Sequence, residues 1–141
     1  MTLSYTVPAV TPAEAAAYIT ARGITGWPED EPEQEAALRR GQDHIAREYN
    51  HRWAVEFDND DAPELVQFAI IEAALVEARS PGSLSPTVKA SDAKMLTGVG
   101  SISWTPIPGP NGVDALRPRL LHVEAMLSGV VKSPTVFLER A

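Results

Sequence analysis

"DNDDAPELVQFAIIEAALVEARSPG" occupies residues 58–82, and the spacing of its apolar residues decides the fold. Leu65, Val66, Phe68, Ile70, Ile71, Leu75 and Val76 cover most of a helical circumference rather than one stripe. A helix apolar nearly all round lies at the centre of a core or under a partner subunit. The stretch predicts a helix capped by Asp60 or Asp61, with Pro63 near its start and Pro81 and Gly82 beyond its end. It spans about 17 residues and is flanked by charge, too short for the roughly 20 apolar residues of a membrane span.

The segments before it supply the partners such a helix needs. "TPAEAAAYITARG", residues 11–23, predicts a helix over 12–22: Thr11 caps it, Pro12 fits the first position, Glu14 completes a capping box and Gly23 gives the left-handed stop. Ala15, Tyr18 and Ile19 share one face. "DEPEQEAALRRGQDHIAREYNHRW", residues 30–53, predicts a second helix to about Asn50, with Pro32 and three glutamates in its acidic first turns. Leu38, Ile45, Tyr49 and Trp53 form its stripe, with Ala37 and Gly41 as close-approach positions. Arg39, Arg40 and Arg47 are interleaved with acids and read as a solvated face rather than a phosphate track.

After Ser80 the pattern changes. Residues 80–111 are rich in Ser, Pro and Gly, with β-prone pieces at 87–89 and 99–104; in the second, Ile102 and Trp104 are expected on one face of a strand. A loop this long inside a compact domain points to binding or assembly. "VDALRPRLLHVEAMLSG", residues 113–129, predicts a fourth helix that starts at 114 or 115 behind Asp114 and ends before Gly129. "VVKSPTVFLERA", residues 130–141, reads as an extended tail whose Val136, Phe137 and Leu138 must dock somewhere. The expected fold is mainly α: one four-helix domain over 1–129, with the long loop and its short β segments inside it, and the extended C-terminal tail beyond.

Composition and motifs narrow the function classes. With 12 Lys+Arg against 19 Asp+Glu the formal charge is −7, so a polyanion meets net repulsion unless the basic residues gather on one face. The absence of cysteine removes disulfides, thiol nucleophiles and cysteine-ligated zinc. The N-terminal "MTLSYTVPAVTPAE" carries neither a basic nor an apolar leader region, and the chain is expected to be soluble and unexported. His44, His51 and His122 lack the spacing that aims two imidazoles at one metal. "DNDDAPE" has proline where a calcium loop turns on glycine. "GVG" at 98–100 is too short for a phosphate cradle, and no serine stands in a nucleophile-elbow pattern. The expectation is therefore no enzyme, no metal and no cofactor. Trp27, Trp53 and Trp104 could stack on bases of a single strand, at about 1–3 kcal/mol per base. The acidic balance favours them as core or interface anchors.

Taken in order, "SYTV", "TPAEAAAYITARG", Trp27, "ALRRGQDHIAREYNHRW", "PELVQFAIIEAALVEA", "VKASDAKMLTGVGSISW" and "VDALRPRLLHVEAML" resemble the head-to-tail adaptor proteins of tailed bacteriophages. Related sequences are often labelled DnaT-like single-stranded-DNA-binding proteins. The likeness spans nearly the whole chain and rests on helical pattern and loose motifs rather than on a catalytic signature. One departure is that "AVEFDNDDA" leads straight to the third helix, where many relatives carry a longer insert. The resemblance implies a helical protein forming a ring, usually twelvefold, beneath the portal at the head–tail junction of the virion. It further implies the portal protein on one side, a stopper or tail-completion protein on the other, and DNA passing through the bore without specific binding. The loop residues Val88, Lys89, Val99, Ile102 and Trp104 and the tail residues Val136, Phe137 and Leu138 would then contact neighbours. The alternative function is a single-stranded nucleic-acid-binding module built on Trp27, Trp53 and Trp104.

Overall fold

In the computed structural model the described residues are 2–85, 98–99, 102–103 and 118–132. The protein is mainly helical, with four α-helices among these residues: α1 (Pro12–Ala21), α2 (Glu31–Tyr49), α3 (Glu64–Arg79) and α4 (Leu121–Leu127). The chain divides into two compact units, one of residues 1–84 with 120–141 and one of residues 85–119.

In the first unit, local chemistry sets the helix ends. Thr11 Oγ1 accepts from the Glu14 N–H at 3.2 Å and donates to the Glu14 carboxylate at 3.0 Å, closing the start of α1. Gly23, at φ +60°, turns the chain out of it. α2 begins behind Asp30 with Pro32 in its first turn.

The start of α3 corrects the sequence expectation. Neither Asp60 nor Asp61 caps it; residues 59–61 form a separate 3₁₀ turn, and the helix starts at Glu64 with Pro63 at the N-cap. A residue that precedes proline is pushed to extended backbone, and Ala62 sits at φ −62°, ψ 137°, so the helix cannot reach back to the aspartates.

α3 is the central helix. Val66, Ala69, Ile70, Ile71, Ala73, Ala74 and Leu75 are buried, in a core with Tyr18 and Ile19 from α1, Leu38, Ile45 and Tyr49 from α2, and Val123 and Leu127 from α4. α2 crosses it at Gly41, where an added Cβ would lie 2.6 Å from the Ala74 nitrogen and 2.7 Å from the Ile70 oxygen. Only glycine permits that approach. No helix among the described residues is long and apolar enough to cross a membrane.

α4 also begins later than its sequence predicts. Residues 118–120 are not helical, Leu120 is extended, and the helix runs from Leu121 to Leu127. Pro118 disfavours helix at the residue before it and has no N–H to donate, which keeps it outside the ordered turns. Asp114 lies outside the described residues. Past α4 the chain meets the segment that follows α2. Trp53 pairs antiparallel with Val131, the Ala54 N–H donates to Val130 O at 2.9 Å, and the Lys132 N–H to Arg52 O at 2.8 Å.

In the second unit, β1 (Gly98–Val99) and β2 (Ile102–Ser103) pair antiparallel, Gly98 with Ser103 and Val99 with Ile102. Val99 and Ile102, expected along a single strand over 99–104, therefore lie opposite each other on two paired strands.

Candidate functional site

The segment linking α2 to the 3₁₀ turn holds the densest set of anchored side chains. Tyr49, Trp53 and Phe57 pack in series, the first pair tilted with ring centroids 5.8 Å apart and the second edge to face at 5.2 Å. Trp53 is 8 % exposed, and its indole N–H donates to Asn50 Oδ1 at 3.0 Å. The same oxygen accepts the Leu3 N–H at 3.0 Å, while Asn50 Nδ2 donates to Leu3 O at 3.0 Å. One amide thus ties the tryptophan and the N-terminal segment together.

Two further amides complete that clamp. Gln42, buried on α2, donates through Nε2 to the carbonyls of Ser4 and Val7 at 2.7 and 2.9 Å and accepts from the Ala9 N–H at 2.8 Å. Asn59 accepts from the Ser4 N–H and donates to Val7 O, both at 2.9 Å. These bonds satisfy an irregular backbone that has no ladder of its own. They leave Tyr5 and Val7 exposed at its tip.

Another buried polar group works at the exit from α3. Glu77, 2 % exposed, accepts the N–H groups of Gly82 and Leu84 at 2.9 and 3.1 Å, with Arg40 at 4.0 Å. Arg47 donates to Leu84 O at 3.4 Å, and the Leu84 side chain is buried. His44 is buried nearby; loss of water pushes its pKa below the usual 6.5, with Arg47 acting in the same sense and Glu48 and Glu77 opposing. On the opposite side of α3, Glu72 accepts the Tyr18 hydroxyl at 2.6 Å and faces His122 Nε2 at 3.2 Å, linking α1 and α4. Burial and the neighbouring Glu72 carboxylate push the Tyr18 phenol up to about 12.

An open groove of about 370 Å³ lies where the 52–54 and 130–132 segments meet α4, lined by Tyr49, Arg52, Glu124, Leu127, Ser128, Val131 and Lys132. Among the described residues no group of three or more His, Asp or Glu is placed to hold a metal ion.

The residues expected from sequence to contact neighbours fall mostly elsewhere. Val88, Lys89, Trp104, Val136, Phe137 and Leu138 lie outside the described residues, and Val99 and Ile102 are described only as a backbone pair of β1 and β2. Of the three tryptophans, Trp53 is packed within the core, and Trp27 is half-buried with its indole nitrogen unpartnered among the described residues. Gln42, Asn50, Asn59 and Glu77 were not legible as anchors. For Gln42 and Glu77 a signal existed: each occupies a position on the apolar face of its helix, Gln42 between Leu38 and Ile45, and a polar residue there requires a buried partner.

Residues 9–55, about a third of the chain, match a family model described as "Putative DnaT-like ssDNA binding protein". The match covers α1, α2 and the turn carrying Trp53, and its description agrees with the DnaT-like label of the relatives named above. No curated protein and no solved structure matches the chain.

Proposed function

We propose that this chain is a non-enzymatic structural adaptor of a tailed-phage particle. In this reading it assembles as a ring at the head–tail junction, binds the portal protein on one side and a stopper or tail-completion protein on the other, and lets DNA pass. The observation that carries the reading is how the matched segment and the residues just after it use their aromatic and amide side chains. Tyr49, Trp53 and Phe57 are 7–8 % exposed and packed against one another, and Asn50 joins Trp53 to Leu3. Those groups brace a scaffold instead of offering open faces to a base. The formal charge of −7 supports passage of DNA, because counterion release rewards only cationic contacts. The expected result is a ring of copies seated under the portal in cryo-electron microscopy class averages of the two proteins mixed. A chain that stays monomeric and leaves the portal bare overturns the proposal.

The family description favours a second reading, a single-stranded-DNA-binding module. Binding of labelled oligothymidylate across a salt series separates the two. Tight binding with a steep salt slope supports the module, and no binding at moderate salt supports the adaptor.

A further inference from the structure

The groove beside α4 combines three features that point to one kind of occupant. The bonds from Lys132 N–H to Arg52 O and from Ala54 N–H to Val130 O make Trp53 and Val131 the non-hydrogen-bonded pair of the ladder. In that register the N–H and C=O of Val131 point away from Trp53. Among the described residues neither has a partner, so Val131 offers a one-residue open edge.

The same register sets Arg52 directly opposite Lys132. Both are exposed, and neither is paired with a carboxylate among the described residues. Like charges facing across a ladder are destabilising, and an anion between them relieves the repulsion. Glu124, the acid lining the groove, is already engaged in an interaction of its own. The apolar part of the lining is Leu127, Val131 and Tyr49.

We propose that this groove receives an extended acidic peptide strand of a partner protein, which pairs with the Val131 edge and places a carboxylate between Arg52 and Lys132. Strand addition of this type takes its affinity from main-chain hydrogen bonds and its specificity from the flanking side chains. A peptide backbone supplies both the acceptor for Val131 N–H and the donor for Val131 C=O, whereas a deoxyribose–phosphate backbone supplies acceptors alone. Nor is an aromatic face open for a base: Tyr49 is 7 % exposed, with the Arg52 guanidinium 5.1 Å from its ring. The inference rests on the adaptor reading in one respect, that a neighbouring protein provides the strand.

The test uses the full chain, isotope-labelled for amide spectra, and three acetylated pentapeptides: Val-Glu-Val-Glu-Val, its Val-Lys-Val-Lys-Val counterpart, and the acidic peptide N-methylated along one edge. The acidic peptide is expected to shift the Val131 amide resonance and to bind at least tenfold more tightly than the other two. In the double variant Arg52→Glu with Lys132→Glu, two exposed positions whose folding circular dichroism checks, the preference should invert. Equal binding of the three peptides, an unmoved Val131 amide at millimolar acidic peptide, or displacement of that peptide by oligothymidylate overturns the proposal. Portal association separates it from the adaptor reading. If wild type and double variant join the portal equally well, the groove assignment fails while the adaptor stands. If the acidic peptide binds as expected but the chain ignores the portal, the groove stands and the adaptor fails.

Discussion

Gly41 is where α2 and α3 touch backbone to backbone, and a single methyl group tests how much of the fold hangs on that contact. A Cβ there would meet three α3 backbone atoms, at 2.6, 2.7 and 2.9 Å, none of which can rotate aside. Alanine improves helix propensity by roughly 1 kcal/mol over glycine, but overpacking of this severity costs more, and the axes must separate. Gly41→Ala is expected to lower stability by about 1–3 kcal/mol, read as a lower urea midpoint with an unchanged slope. Gly23 is the contrasting case. It needs glycine for its φ of +60°, yet nothing lies within 4 Å of an added Cβ, so substitution there strains the turn without disturbing the packing.

At the scale of elements, the N-terminal segment is held by side chains alone, which makes its attachment separable from the helical core. Gln42→Leu keeps the volume but leaves the Ser4 carbonyl and the Ala9 N–H without their partner and takes one of two donors from the Val7 carbonyl, which Asn59 still serves. The expected cost is about 1–3 kcal/mol, with faster hydrogen exchange at Ala9 while the α3 amides stay protected. Thr11→Ala should remove about 0.5–2 kcal/mol through the loss of the α1 cap, read in the same urea titration. These elements also show what could be read in advance. The ends of α1 and the start of α2 were legible because Thr11, Gly23 and Pro32 act on their own turns. The start of α3 was misplaced because the restriction on Ala62 by Pro63 outweighed the capping tendency of the aspartates, and the start of α4 because residues 118–120 stay extended or irregular. The position of Gln42 on an apolar stripe was visible; its partners were not, since they come from a segment placed only by the tertiary fold. The groove was invisible for the same reason: Arg52 and Lys132 become neighbours only through the Trp53–Val131 pairing.

Across the whole molecule, two buried titratable groups set opposite limits on the pH range of stability. His44 has a folded pKa below its unfolded value of 6.5, so as the pH falls through 6.5 the unfolded chain takes up a proton that the folded chain refuses. Stability therefore rises with pH across that window and is lost on acidification, until the folded pKa is passed. Tyr18 works the other way. Its folded pKa of about 12 exceeds the unfolded 10.0, so between those values the folded chain keeps a proton that the unfolded chain has lost, and stability falls as pH rises. The alkaline loss should reach roughly 1–3 kcal/mol by pH 12, since the phenol is buried and bonded to Glu72. Urea midpoints measured from pH 5 to 12 should trace a plateau with both shoulders. Tyr18→Phe should flatten the alkaline shoulder, and His44→Phe should flatten the part of the acid shoulder nearest 6.5, leaving the carboxylate titrations below it. An alkaline shoulder unchanged in Tyr18→Phe would mean that folding does not raise the Tyr18 phenol pKa and that another group sets the alkaline limit.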